Sequence, residues 1–136
     1  MATYTKFNSF VEALAEKTHN LGSDTLKVAL TNSAPSASNT VLANITEISY
    51  TNLSSRTLTV SSSAQTSGTY KLVLADLLLT SSGGSTGPFR YVVIYNDTAT
   101  NDELIAYYDY GSSLTLANLE SLNLDFDGSA GVLTIA

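Results

Sequence analysis

The sequence predicts a mainly β domain, an antiparallel β-sandwich or jelly-roll-like barrel with one short N-terminal α-helix. Three observations predict it. About seven short apolar or alternating runs are separated by regular clusters of Gly, Ser, Asn and Asp, the pattern of strands joined by turns. Only one segment, residues 9–21, repeats its apolar side chains with helical period. Strand and helix patterns do not alternate, so nothing supports a doubly wound parallel sheet. At 136 residues the chain suits a single domain able to bury a core. It divides into an N-terminal arm and helix (1–22) and a β domain (23–136).

The helix is read from Ser9, which with Glu12 makes a capping-box pattern. Phe10, Val11, Leu14 and Ala15 fall on one face, Glu12, Glu16 and Lys17 on the other, and Gly22 is the natural stop. Phe7 is placed to staple onto the first turn. The six residues before it are polar, either an arm that docks on a neighbouring subunit or a frayed end. Asp24–Thr31 alternates, with Leu26, Val28 and Leu30 on one face of a half-buried strand. Asn32–Pro35 ends it. Residues 36–49 read as a short helical turn after Asn39 or a loop pinned by Val41, Leu42 and Ile45.

Thr57–Ser63 is a strand with Leu58 and Val60 inward, and Gln65–Gly68 turns the chain. Thr69–Thr80 places Tyr70, Leu72 and Leu74 on one face, and its alternation fails at Asp76, which predicts a bulge or break there. Ser81–Gly87 reads as a flexible surface loop. Phe89–Tyr95 is apolar without interruption, as a strand covered on both faces is. With Glu103–Tyr110 it forms a central hairpin that Gly111 closes. A second, smaller hairpin is expected from Ser113–Ala117 and Ser121–Asp127, where Leu122, Leu124 and Phe126 alternate with Asn123, Asp125 and Asp127. Val132–Ala136 is a last short strand.

Composition excludes several function classes. The hydrophobic fraction is 43% and the charged fraction 13%, the reverse of a disordered acidic tail. A net charge of −6 with no basic run argues against direct nucleic-acid binding. Residues 96–136 carry seven acids and no Lys or Arg, either a solvated, self-repelling surface or an acidic face for a basic partner or cation. With no cysteine, disulfides, thiol catalysis and cysteine-ligated zinc are out. The N-terminus lacks the pattern of a secretory signal, and the apolar runs fall well short of the ~18 residues that span a membrane as a helix. No cofactor motif is present, and the residues alone point to no enzyme.

The remaining chemical candidates are few. Gly83-Gly84-Ser85-Thr86-Gly87 spells G-x-S-x-G, but no helix follows and the sole histidine, His19, precedes the serine, which rejects a nucleophile elbow. His19 reads as a structural group near the helix C-terminus. Asp125 and Asp127 lie two apart on one strand, a solvated edge or a weak Ca²⁺ or Mg²⁺ site. Tyr91, Tyr95, Tyr107, Tyr108 and Tyr110 crowd the central hairpin as cross-strand pairs, an oligomer contact or a sugar-stacking platform. Tyr4, Phe7, Phe10, Tyr107, Tyr108 and Tyr110 are the candidate assembly residues.

Two blocks, KFNSFVEALAEKTHNLGSDTLKVALTNSAP at 6–35 and GPFRYVVIYNDTATNDELIAYYDYGSSLTLANLESLNLDFD at 87–127, resemble a family of small virion structural proteins of tailed bacteriophages. The recognisable order is a short helix, the VALT strand, the YNDTATND turn, DYGSSLTL and LxLDFD. The resemblance implies a capsid decoration (cement) protein: a β-rich protomer, trimeric by preference, made in the bacterial host cytoplasm and added to the capsid surface. Its partners would be the major capsid protein or other virion proteins, and it would have no catalytic residues, no nucleic-acid ligand and no membrane contact. The alternatives are a tail, neck or head-completion component, and a carbohydrate-binding phage adhesin module.

Overall fold

The computed structural model describes residues 2–136. It is mainly β and antiparallel, with nine strands and one short helix among the described residues. The order is β1 (Thr3–Lys6), α1 (Phe10–Ala15), β2 (Leu26–Thr31), a 3₁₀ turn (Leu42–Asn44), β3 (Val60–Thr66), β4 (Thr69–Leu74), β5 (Leu77–Thr80), β6 (Thr86–Asn96), β7 (Leu104–Leu116), β8 (Ser121–Leu124) and β9 (Leu133–Ile135). A four-stranded sheet runs β1-β7-β6-β2. A three-stranded sheet, β3-β4-β9, and a two-stranded one, β5-β8, complete the sandwich. No helix is long and apolar enough to cross a membrane.

The main core lies between these layers. Leu26, Val28 and Leu30 of β2, Val92 and Ile94 of β6, and Leu72, Leu74 and Leu79 of the smaller sheets meet there with Phe10 and Phe126. A second cluster covers the opposite face of the main sheet, where Phe7, Ala29, Val93, Tyr95 and Leu104 pack against Ile45 and Leu42 of the 36–49 segment. That cover explains why β6 is apolar on both faces. It also buries both sides of β2, where one solvated face was expected: Ala29 and Thr31 are as inaccessible as Leu30. The 3₁₀ turn is held by Asn44, whose Oδ1 accepts the N–H groups of Thr40 and Val41.

The two edges of the main sheet are treated differently. Beyond β2 the chain runs back alongside, with Arg56 C=O accepting Val28 N–H, Leu26 C=O accepting Leu58 N–H, and Leu30 C=O accepting Ile48 N–H. Tyr50 secures this cover. Its hydroxyl accepts Leu30 N–H at 2.9 Å and donates to Glu47 at 2.7 Å, and Arg56 lies 3.7 Å over its ring. Burial, first of all, raises the Tyr50 phenol. At the opposite edge β1 pairs only with β7, leaving the outward backbone groups of a four-residue strand available.

Several expectations are corrected. Helix α1 is six residues long rather than spanning 9–21. Ser9 already has helical backbone angles and makes no side-chain cap, so the capping box does not form. The helix stops at Lys17, whose φ of 71° lets Thr18 N–H reach Ala13 C=O at 2.8 Å; this left-handed closure precedes Gly22. Phe7 packs in the second cluster and Phe10 in the first, so no staple joins Phe7 to the first turn. Residues 3–6 are neither a free arm nor frayed, since they pair in register with β7.

The Ser81–Gly87 loop is pinned. Ser81 and Thr86 are buried and share a hydrogen bond at 2.8 Å, and Gly83 N–H donates to Asn118 Oδ1. The expected break at Asp76 is present, and it has a use: Asp76 accepts Phe126 N–H at 3.0 Å and Asn123 Nδ2 at 3.2 Å, tying β8's exit to the β4–β5 break. The second hairpin does not exist. Residues 113–116 continue β7 along the start of β6, and β8 pairs instead with β5. Gly131 allows β9 to approach: at φ +78°, a Cβ there would sit 2.7 Å from Leu72 C=O. Gly131→Ala is therefore expected to cost about 1–3 kcal/mol through backbone strain and this clash, measurable by urea denaturation.

Candidate functional site

Gly111 interrupts β7 without ending it, and this interruption builds the most distinctive surface feature. Phe89 pairs with Leu114 and Tyr91 with Asp109, so between these two pairs β7 runs through more residues than β6. The surplus residues bulge outward, as a local mismatch in strand length requires. Gly111, at φ 98° with nothing near its Cβ position, supplies the left-handed backbone that the bulge needs. Asp109 fixes its base. Its carboxylate takes a two-pronged hydrogen bond from Arg90, Nε to Oδ1 at 2.8 Å and Nη2 to Oδ2 at 3.1 Å, and also accepts Gly111 N–H at 2.8 Å. These contacts, Arg90 first, hold the Asp109 carboxyl below its usual range. At the bulge tip Ser113 Oγ donates to Asn32 Oδ1 at 2.6 Å.

Tyr110 leaves this bulge 52% exposed. It stands at the mouth of an apolar groove of about 220 Å³. Tyr108 and Leu114 of β7 form one wall and Leu122 and Leu124 of β8 the other, with the buried Phe89 and Val92 behind and Asp125 at the rim. The groove exists because β8 pairs with β5 and not with β7, so the half-buried leucines of β8 meet the main sheet only through side chains. On the same side Tyr4 of β1 lies directly opposite Tyr108. Their rings meet edge to face at 5.3 Å, and Tyr108 continues onto Phe126 at 6.1 Å. Burial pushes the Tyr108 phenol up to about 12 and raises that of Tyr4, so neither ring of this pair ionises near neutral pH.

The six candidate assembly residues thus separate. Tyr4 and Tyr110 are exposed, and Tyr108 is half-buried between them and the core. Phe7 and Phe10, at 0% and 2% exposure, are core residues and offer no surface. Tyr107 turns to the other face of the sheet, against Phe7 at 5.2 Å and Tyr91 at 6.4 Å. Tyr107 and Tyr91 are therefore packing partners, while Tyr110 presents an exposed ring. The sequence signal missed was the pair Asp109/Gly111, an acceptor two residues before a glycine, which marks a bulge as readily as a turn.

Asp125 and Asp127 are not strand neighbours, because β8 ends at Leu124. Asp127 Oδ1 accepts the N–H groups of Ser129 and Ala130, both at 2.8 Å, which hold its carboxyl below the usual range and make it a turn former. Among the described residues no group of three or more His, Cys, Asp or Glu side chains is arranged to hold a metal ion. Elsewhere on the acidic stretch, burial and then the neighbouring Asp97 and Glu103 raise the Asp102 carboxyl.

His19 lies beyond the helix and does not cap it. It is 5% exposed, its ring 5.3 Å from that of Phe10, and Nδ1 is 3.0 Å from Asn96 Nδ2. Asn96 is equally enclosed, and its Nδ2 also donates to Asp24 Oδ2 at 2.7 Å. Its Oδ1 accepts Thr98 N–H and Ala99 N–H, an Asx turn that shapes the YNDTATND segment. No family model, curated protein or solved structure matches this chain.

Proposed function

We propose that this chain is a non-enzymatic structural protein of a bacteriophage virion, a capsid decoration protein that binds the assembled shell as a homo-oligomer, with a trimer favoured. The observation that carries this reading is the Tyr110 bulge at the mouth of the apolar groove, beside the open β1 edge. An exposed aromatic ring on a braced backbone, next to a leucine-lined depression and a row of available backbone groups, suits protein–protein contact. The resemblance of residues 6–35 and 87–127 to phage virion proteins supplies the biological setting. Binding only to the assembled lattice stabilises it by mass action, and several protomers per oligomer add avidity.

Two measurements test the reading. The protein is expected among the components of purified virions by mass spectrometry, and as density on the outer shell by cryo-EM; its absence from virions would overturn the proposal. Density in a sixfold or twelvefold ring would move it to the tail or neck, and glycan binding at Tyr110 would favour an adhesin module. Tyr110→Ser is expected to leave thermal stability within about 0.5 kcal/mol, as surface changes do, while weakening shell binding or self-association about tenfold or more. Sedimentation and shell co-pelleting read both.

A further inference from the structure

The chain has one histidine, and its surroundings fix its protonation state by geometry. Asn96 Oδ1 receives two backbone N–H groups, at 3.0 Å from Thr98 and 3.2 Å from Ala99. The amide orientation is thereby set, and Nδ2 must be the atom facing both Asp24 Oδ2 and His19 Nδ1. An amide NH₂ only donates, so His19 Nδ1 must accept, and the ring is the neutral tautomer carrying its proton on Nε2. That second nitrogen is sealed from solvent and has no hydrogen-bond partner. A proton added at Nδ1 would set N–H against N–H, and the charge would gain no acceptor at the other end.

The cluster joins two segments just beyond the end of the β2–β6 ladder, where Leu26 pairs with Asn96. On one side is the segment following α1, where Asp24 Oδ2 also accepts Asn20 N–H at 2.8 Å. On the other is the β6–β7 turn. Other ties on residues 8–25 are the Asp97 N–H to Thr25 C=O, Thr25 N–H to Thr98 Oγ1 and Asn8 N–H to Ala37 C=O bonds, together with the burial of Phe10 and Leu21. We propose that His19, Asn96 and Asp24 form an acid-sensitive latch: protonation of His19 breaks its bond to Asn96 and releases residues 8–25 from the end of the main sheet.

Burial of the ring, rather than the charges around it, favours the open state once the imidazolium forms. Glu103, just before β7, and Asp24, on the loop after α1, both attract an imidazolium, yet neither is hydrogen-bonded to the ring in place. Lys17 and Tyr70 of β4 line the same cleft. Desolvation outweighs the two carboxylates and lowers the His19 pKa below its ordinary 6.5. Between the folded value and 6.5, the unfolded or opened chain therefore binds the proton and the closed one does not. The latch is at full strength above 6.5 and weakens as pH falls below it. Opening bares the apolar side of α1 and Leu21. The latch does not depend on the assembly reading.

NMR on the full chain tests this directly, because a single imidazole gives unambiguous signals. At about pH 7.5 the ring is expected as the Nε2–H tautomer, and on acidification to about pH 5 its protonation should coincide with loss of the Asn96 side-chain amide signal. Hydrogen exchange in residues 8–25 and 96–103, corrected for intrinsic pH effects, should rise about tenfold or more while β3 and β4 keep their protection. His19→Gln, which cannot take up the proton, should abolish that rise. An imidazole titrating at or above its ordinary 6.5, exchange that rises equally everywhere, or a wild-type-like rise in His19→Gln would each overturn the latch. The wild-type titration decides the matter even if the variant folds poorly.

Discussion

Phe7→Ala is expected to lower stability by about 3–5 kcal/mol, the cost of removing a large ring from a site that cannot collapse. Phe7 is fully buried at the point where β1 hands over to α1. Its N–H donates to Ile105 C=O at 3.1 Å, so the backbone is held and cannot close into the space left. The ring packs on Tyr107 and on the small second cluster that covers the outer face of β6. That cluster holds few residues, so no neighbour can refill the cavity. Phe7→Leu keeps most of the volume and should cost roughly half as much or less. Urea denaturation of the isolated protein separates this from an assembly role: an interface residue would leave protomer stability within about 0.5 kcal/mol.

Asn96→Ala should follow, at about 3–4 kcal/mol, because it strips four hydrogen bonds from an enclosed side chain, leaving His19 Nδ1 without its donor and Asp24 Oδ2 with Asn20 N–H alone. The more telling variant is Asn96→Asp. Its carboxylate keeps one oxygen for Thr98 and Ala99 N–H but turns the other toward Asp24 at the former 2.7 Å spacing. Two carboxylates at that separation repel, and His19 Nδ1 now faces an acceptor. The His19 pKa should move from below 6.5 to above it. In the wild type the histidine contribution grows as pH rises through this range. In Asn96→Asp the pairing contributes below 6.5 and is lost as pH rises through the raised value. Thermal denaturation as a function of pH should therefore change slope sign, and an unchanged slope would show that Asn96 does not set the state of His19.

The strands that were legible in the sequence are those whose partners cover them in a regular way. β6 is continuous and apolar because both its faces are covered, and Leu26, Val28 and Leu30 of β2 alternate because one face meets the main core. The break at Asp76 showed as a fault in alternation. Local signals misled where a distant contact overruled them. Ser9 and Glu12 spell a capping box, but the turn from Phe7 to Phe10 already places Ser9 in helical geometry. Ser81–Gly87 has the composition of a mobile loop, yet Asn52 and Asn118 hold it through bonds 33 and 35 residues apart in sequence.

Of the candidate surface, the tyrosines were visible and their division was not. Aromatic residues near one hairpin carry no mark of which face they take, because a bulge shifts that parity. Composition and periodicity by themselves determined an acidic, cysteine-free, antiparallel β chain with one short helix, since burial of alternate side chains and the absence of a strand–helix rhythm depend only on local pattern. Tertiary structure decided the rest. It ran β7 through Gly111, gave β8 to β5, buried Phe7 and Phe10, raised Tyr110 beside an apolar groove and enclosed His19 against Asn96. Each of these is a long-range pairing, and pairing energy is settled by which edges and faces are left over once the stronger strands have closed.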